Sequence, residues 1–161
     1  MDFYGTASGY VEYHTARGRD VGTPTDPEIE QALLVASEWL DGSFSWPGDK
    51  MGIRDTQVRE WPRSWVFDRN GDTVSNLTVP VEIERATYEV AFRWLADSTV
   101  LSPDHTPEKY KRVTIDGALS VEYRGLNAQT AQKQFPVLSV ILAPLLNGYN
   151  TSALSSGIVR V

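Results

Sequence analysis

The sequence contains no cysteine, so a disulfide framework and a thiolate zinc site are both excluded. Histidine is scarce: His14 and His105 lie far apart and without metal-ligand spacing. No serine lies in a Gly-x-Ser-x-Gly motif, and no glycine-rich loop joins a strand to a helix. We therefore expect no catalytic activity, no metal and no cofactor.

Long hydrophobic runs are also absent. The longest apolar stretch, Val137 to Leu146, is interrupted by Ser139 and Pro144 and is too short to span a bilayer. The N-terminal residues show no basic region followed by an apolar segment, so no signal peptide is expected. The absence of cysteine and of these segments predicts a soluble protein of a reducing compartment, without a membrane partner.

The chain has the length of one domain, 161 residues. Its net charge of −6 argues against nucleic-acid binding across the whole surface, because phosphate contacts supply much of that affinity. Five Trp, seven Tyr and five Phe are enough to build both a core and an interface.

Two helices are predicted in the first part of the chain. The first runs from Ser8 to Arg17, with Ser8 as N-cap. The second is capped by Thr25 or Asp26, has Pro27 at its first position and ends at Gly42. Helical spacing predicts the buried stripe of the second helix as Ile29, Leu33, Ala36 and Leu40.

The stretch from Ser43 to Thr78 contains mainly loop and turn signals, and so long an irregular stretch is usually functional or bound to a partner. Trp46, Trp61 and Trp65 make a flexible linker improbable. Its basic residues are Lys50, Arg54, Arg59, Arg63 and Arg69. Indoles and cations together could stack on single-stranded nucleic acid. Because acidic residues interrupt the basic ones, an ordinary loop with salt bridges between subunits is the favoured interpretation.

Within this stretch, Asp68 to Asp72 resembles the start of a calcium loop. The glycine comes at the fourth position rather than the sixth, and the twelfth position holds Val79 rather than glutamate. An Asn-Gly turn between two short extended segments explains the motif better.

A third helix is predicted from about Val79-Pro80 to Asp97. Two strands, Tyr110 to Ile115 and Ala118 to Arg124, flank Asp116-Gly117 and predict a β-hairpin. In the predicted register Tyr110 faces Tyr123, and Lys111 faces Glu122.

The final part of the chain carries almost no charge: from Gly125 to Val161 the charged residues are Lys133 and Arg160. Phe135 to Leu146 predicts a fourth helix, apolar all round and hence buried on every side. Tyr149 to Val161 reads as an extended tail. We therefore predict a mainly α fold, a small bundle of about four helices with one β-hairpin. Residues 1–148 would form the domain and residues 149–161 the docking tail.

Acidic residues are concentrated on the second helix: Asp26, Glu28, Glu30, Glu38 and Asp41. The simpler interpretation is a solvated face whose first-turn acids favour the helix dipole. The alternative is an acidic surface that faces passing DNA without binding it.

Several short motifs occur in an order that resembles one known family. They are Ala16-Arg17-Gly18, Ala32 to Gly42, Trp46-Pro47-Gly48, Gln57 to Arg63, Asp68 to Gly71, Val79-Pro80, Ala86 to Ala91, Leu119 to Tyr123, Phe135-Pro136 and Leu142 to Leu146. Over Gly9 to Leu146 the chain resembles the head–tail connector (adaptor, or neck) proteins of long-tailed bacteriophages, some of which carry a DnaT-like single-stranded-DNA-binding label.

The resemblance implies a structural subunit of a ring, usually of twelve copies, seated under the portal protein in the virion neck and assembled in the host cytoplasm. The ring would join the capsid to the next neck or tail component, and DNA would pass through its lumen without sequence-specific binding. The expected channel-facing residues are Glu28, Glu30 and Glu38. The expected portal or subunit interface consists of Trp61, Arg63, Leu154, Ile158, Val159 and Val161. The alternative function is that of a single-stranded-DNA-binding protein.

Overall fold

A computed structural model describes residues 2–52, 56–101, 112–115, 119–122 and 135–146. These ranges contain four helices, α1 (Ala7–Thr15), α2 (Asp26–Ser43), α3 (Val81–Ala96) and α4 (Pro136–Leu146). They also contain four short strands, β1 (Asp49–Lys50), β2 (Arg63–Ser64), β3 (Arg112–Ile115) and β4 (Leu119–Glu122). The predicted mainly α fold with about four helices and a β-hairpin is confirmed. The predicted tail, residues 149–161, and its boundary at residue 148 lie outside the described residues.

Helix α1 is capped by Thr6, whose Oγ1 accepts a hydrogen bond from the N–H of Gly9 over 3.0 Å. The predicted N-cap, Ser8, is therefore wrong, because it already lies in the first turn. The helix ends at Thr15 rather than at Arg17. Gly18, with a φ of 67°, completes the turn that follows it.

Helix α2 begins as predicted. The side chain of Glu28 reaches back to Thr25, accepting from its N–H over 2.7 Å and from its Oγ1 over 2.8 Å. This reciprocal cap satisfies donors that the first helical turn leaves unpaired. All four residues of the predicted stripe are buried, namely Ile29, Leu33, Ala36 and Leu40. The helix ends at Ser43, one residue beyond the predicted Gly42.

Helix α3 packs along α2 and forms the other half of the core. Ile83, Tyr88 and Ala91 are buried on this helix, and each fully buried large apolar side chain contributes about 1.5–3 kcal/mol. Two polar residues, Thr87 and Glu89, are buried on the same helix. Thr87 is satisfied within the helix, since its Oγ1 donates to the carbonyl oxygen of Ile83 over 2.8 Å.

Helix α4 packs on α3 through one face only. Leu138, Leu142 and Leu145 are buried, whereas Val140 is 76% exposed. The prediction that this helix is buried on every side is therefore wrong for the described residues. An all-apolar sequence gives no polar face to mark the solvent side, so periodicity could not show which residues pack.

The N-terminal segment, residues 2–6, crosses α2 and α3. Its anchor is Tyr4, whose N–H donates to Ser37 Oγ over 3.0 Å and whose hydroxyl donates to Asp41 Oδ1 over 2.7 Å. The N–H of Thr6 donates to the Tyr88 hydroxyl over 3.2 Å. The segment thereby links the two central helices from outside.

The hairpin is antiparallel, as predicted, but its register differs by one residue. Val113 pairs with Val121 and Ile115 with Leu119. The predicted pairing of Lys111 with Glu122 is wrong, because Glu122 pairs with Arg112. A hairpin's register follows its loop length, and the observed pairs leave three residues between Ile115 and Leu119 rather than two. The predicted partners Tyr110 and Tyr123 lie outside the described residues.

In the described ranges, every helix is too short or too polar to cross a membrane.

Candidate functional site

The region between α2 and α3, residues 44–80, contains most of the stretch from Ser43 to Thr78 for which the sequence predicts loops and turns. We call residues 44–80 the aromatic loop. It contains a two-stranded ladder in which β1 and β2 are antiparallel, with Lys50 opposite Arg63. A second short pairing joins Phe67 to Thr73. The described residues of the loop are thus more regular than the turn signals indicated.

Two of its three indoles are structural. Trp61 is 2% exposed, and its ring centroid lies 5.7 Å from that of Trp46 at an interplanar angle of 78°. The backbone N–H of Trp61 donates to the Tyr4 hydroxyl over 3.0 Å. Edge-to-face packing of this kind stabilises the loop against the N-terminal segment. The predicted interface residue Trp61 therefore lies in the core.

The hydrogen bonds around Tyr4 also change its acidity. Burial, together with the hydrogen bond to Asp41, raises the pKa of Tyr4 far above its ordinary value. Burial also raises the pKa of Asp41, although hydrogen bonds from Tyr4 and Arg59 oppose that rise. This network holds the loop to α2.

Two basic residues of the loop are also structural. Arg63 is 8% exposed; it donates from Nε to the Pro47 carbonyl over 2.7 Å, from Nη1 to Glu60 Oε2 over 2.6 Å, and from Nη2 to the Gly48 carbonyl. The guanidinium of Arg59 is likewise engaged in contacts within the chain. Its partners are the Asp2 carbonyl at 2.6 Å, Glu38 at 3.3 Å and Asp41 at 3.4 Å.

The remaining basic residues of the loop differ in their contacts. Lys50 pairs with Glu60 over 3.0 Å. Arg54 lies outside the described residues. The ion pairs described for the loop join parts of one chain; the predicted salt bridges between subunits stay a prediction. Arg69 alone among the described basic residues of the loop makes no ion pair with the rest of the described chain.

The third indole is exposed. Trp65 is 75% exposed and has a φ of 59°, in the left-handed region that a bulky residue rarely adopts. Val66 beside it is fully buried, and Phe67 is 42% exposed. The alternation therefore presents Trp65 and Phe67 on the outer side of the loop while Val66 fixes it to the core. Trp65, Phe67 and Arg69 are all exposed within this short segment, and we call these three residues the aromatic patch.

The backbone under this patch is closely fitted. Gly48 has a φ of 68°, and a Cβ at this position would lie 2.1 Å from the Ser64 carbonyl oxygen and 2.8 Å from Val66 Cγ2. Only glycine permits so close an approach. The Trp46-Pro47-Gly48 motif thus supports the backbone on either side of Trp65, which directly follows β2.

The Asp68–Asp72 segment closes the patch as a turn. Asp68 Oδ1 accepts from the N–H groups of Asn70 and Asp72 over 2.8 Å and 2.9 Å, and Gly71 has a φ of 90°. The turn interpretation of this motif is confirmed. The described ranges contain no group of three or more His, Cys, Asp or Glu residues that could hold a metal ion.

A second polar cluster is buried between α1 and α3. Glu89 is 1% exposed and receives hydrogen bonds from Arg19 over 2.7 Å, Arg93 over 2.8 Å and the Tyr13 hydroxyl over 3.1 Å. Burial raises the pKa of Glu89, but these arginine contacts outweigh burial and leave the pKa below its ordinary value. The carboxylate is saturated with donors and acts as a structural ion.

His14 lies beside this cluster and is fully buried. Its Nε2 lies 3.1 Å from the Tyr88 carbonyl oxygen and its Nδ1 lies 3.4 Å from Arg19 Nη1. The geometry fits a neutral imidazole that donates from Nε2 and accepts at Nδ1. Burial lowers the pKa of His14, which favours this neutral form. The histidine is a core residue.

The remaining predicted site residues are not brought together. Glu28 caps α2, Glu30 is exposed, and Glu38 pairs with Arg59. Leu154, Ile158, Val159 and Val161 lie outside the described residues. Sequence reasoning did not single out Phe67, although the alternation of Trp65, Val66 and Phe67 was a signal that could have identified the exposed pair.

Comparison with known proteins gives one positive result. A model of the family described as "Putative DnaT-like ssDNA binding protein" matches residues 1–161. No curated protein and no solved structure matches the chain. The family match overturns the prediction of a bacteriophage head–tail connector, together with the predicted twelve-subunit ring, the portal and tail partners and the DNA-filled lumen. The virion location rested on the same resemblance and stays a prediction. The chain belongs to this DnaT-like family.

Proposed function

We propose that the chain binds single-stranded DNA without reading its sequence, by stacking unpaired bases on the side chains of Trp65 and Phe67. The description of the family supports a single-stranded-DNA ligand. Stacking on aromatic side chains suits such a ligand, because every base has a π-face that a flexible single strand can expose.

The exposure of Trp65 carries the proposal. A 75% exposed indole costs solvation free energy, and its left-handed backbone conformation adds strain. Both costs persist on a segment held firmly by Val66, Gly48 and Arg63. Strain and exposure that the surrounding structure maintains are characteristic of binding sites.

Electrostatics limits the number of phosphate contacts. Arg69 is the described cation at the patch without an ion pair, and Lys50 shares its charge with Glu60. With a net charge of −6 the protein as a whole repels DNA, so stacking must supply most of the affinity. Duplex DNA should bind more weakly, because paired bases cannot reach the rings.

The proposed role is binding rather than catalysis. Three titratable groups that could serve chemistry, the buried Glu89 and His14 and the partly buried Asp41, are each engaged by partners that hold the fold together. Absence of catalytic activity stays a prediction.

Fluorescence anisotropy with a labelled oligothymidylate of about ten nucleotides tests the proposal. Loss of one stacked base costs about 1–3 kcal/mol, so Trp65→Ala should weaken binding about tenfold. Leu77→Ala is the matched control, since Leu77 is 82% exposed on the same loop but offers no ring. Equal affinities of the wild-type protein and Trp65→Ala would contradict the proposed site.

A further inference from the structure

Two adjoining clefts lie where the segment between α1 and α2 crosses the end of α3. The larger has a volume of about 530 Å³, and its apolar surface comes from Val21, Pro24, Trp94 and Leu95. The smaller, of about 250 Å³, shares Val21 and Leu95 with the first and adds Phe92. Clefts of several hundred Å³ with an aromatic wall can receive a short chain segment or a small molecule.

The charged side chains that line these clefts are acidic. Asp20 and Glu28 are among the lining residues, and no lysine, arginine or histidine of the described chain lines either cleft. Asp20 Oδ1 accepts from the N–H of Gly22 over 2.8 Å, and Glu28 accepts from Thr25. The hydrogen bonds from the Thr25 backbone and side chain lower the pKa of Glu28, so this carboxylate is ionised at neutral pH.

The combination of apolar walls and carboxylates disfavours anionic ligands and favours ligands that carry both apolar and cationic groups. Arg19 lies 5.7 Å from the centroid of the Phe92 ring, but it is already paired with Glu89 over 2.7 Å. A phosphate backbone in the clefts would meet two carboxylates without a lining cation, so single-stranded DNA is disfavoured there. An aliphatic side chain would bury apolar surface against Val21, Pro24 and Leu95. A neighbouring ammonium or guanidinium group would meet the carboxylates, and it could lie over the face of the Trp94 indole.

We propose that the two clefts form a docking surface for a protein partner, through a short segment in which leucine-like residues alternate with lysine or arginine. The aromatic patch and the clefts then have opposite charge preferences and different ligands. Occupation of one does not require the other, and the docking surface does not depend on the proposed DNA binding.

Nuclear magnetic resonance on the uniformly ¹⁵N-labelled full chain tests this surface. The probe is a blocked pentapeptide of alternating lysine and leucine, with the same peptide carrying glutamate in place of lysine as its counterpart. The lysine peptide should shift the indole N–H signal of Trp94 and the amide signals of Val21 and Leu95, and leave the Trp65 indole unchanged. The glutamate peptide should shift none of them.

Charge exchange at Gln31, which lines the larger cleft, provides matched variants. Gln31 is exposed on α2, and lysine and glutamate are both good helix formers, so neither substitution should disturb the fold. Adding one positive or one negative charge near the lysine side chains of the bound peptide should change its affinity about fivefold. Gln31→Lys should weaken binding of the lysine peptide by that factor, and Gln31→Glu should strengthen it.

Thr15→Lys makes the same charge change outside the clefts and should leave the affinity nearly unchanged. The proposal is overturned if the lysine peptide shifts no cleft signal, or if all three variants bind it equally. It is also overturned if an oligothymidylate shifts the Trp94 indole, because the clefts would then belong to a nucleic-acid surface.

Discussion

Arg63 donates a hydrogen bond from Nε to the carbonyl oxygen of Pro47 over 2.7 Å and so ties the two arms of the aromatic loop together. The same guanidinium donates to the Gly48 carbonyl and to Glu60. A residue that resembles a phosphate ligand in the sequence is thus an internal clamp. Its effect on the proposed DNA-binding surface would come from holding Trp65 in place.

Replacement of Arg63 should therefore reduce stability. Arg63→Met leaves two carbonyl oxygens and Glu60 without their donor, and we expect the free energy of unfolding to fall by about 2–4 kcal/mol. Arg63→Lys should recover only part of this loss, because an ammonium cannot reproduce the planar guanidinium contacts. Urea unfolding monitored by tryptophan fluorescence measures both. Full stability of Arg63→Met would contradict the clamp.

Gly48 provides a test of the close packing beneath the patch. Gly48→Ala adds the cost of a left-handed alanine, about 1–2 kcal/mol, and also drives a Cβ against the Ser64 carbonyl. Gly18→Ala is a matched control, since Gly18 has a φ of 67° with nothing within 4 Å of the added Cβ. We expect Gly48→Ala to be clearly less stable in thermal unfolding and to bind the oligothymidylate more weakly. Equal behaviour of the two variants would show that the close approach is unimportant.

His14 should make stability depend on pH. Because burial lowers the pKa of His14, the unfolded chain binds its proton more readily than the folded chain does. Stability is then fully present above about pH 6.5, the ordinary histidine pKa, and falls as the pH drops below it. The slope should reach up to about 1.4 kcal/mol per pH unit.

The charged groups that face His14 are Glu89, Arg17 and Arg19. Glu89 affects stability in a lower pH range than His14 does. Its lowered pKa means that its contribution is lost only below its ordinary value of 4.5. Urea unfolding between pH 7.5 and pH 5 therefore measures the contribution of His14 separately from that of Glu89. His14→Gln should be less stable at neutral pH but show a flatter profile, and an unchanged slope would rule out His14 as its source.

The proposed DNA binding should depend only weakly on salt. Each neutralised phosphate of a single strand contributes a slope of about −0.7 to log K against log salt concentration, and one or two contacts give about −0.7 to −1.4. Arg69→Ala should reduce the slope by about 0.7 without changing stability, because Arg69 is exposed and has no ion pair with the described residues. A slope several times steeper would indicate an extended basic groove instead of the aromatic patch.

Local signals were enough to predict α2. The cap of Thr25 and Glu28, Pro27 in the first turn and the stripe around Leu33 all act within a few residues of one another. The hairpin strands could also be predicted, but its register could not, since the turn signal does not fix the loop length to one residue.

The candidate site depended on contacts that sequence spacing does not show. Trp61 and Trp65 carry the same side chain, yet the first is buried by Trp46 and Tyr4 and the second is exposed by a left-handed backbone. Arg59 is occupied by Asp2, which lies far from it along the chain. Only the tertiary arrangement separates the structural Arg59 and Arg63 from Arg69, which makes no ion pair with the described residues.

The central claim is that unpaired bases stack on Trp65 and Phe67, and the indole N–H signals of the five tryptophans test it most directly. The ¹⁵N-labelled protein is titrated with an oligothymidylate of about ten nucleotides and, separately, with the duplex of the same length. The single strand should shift the indole of Trp65 and the amide of Phe67 in a saturable manner and leave the buried Trp61 indole unchanged. The duplex should have a much smaller effect. Binding that leaves Trp65 and Phe67 unshifted, or no binding of the single strand at physiological salt, would contradict the account.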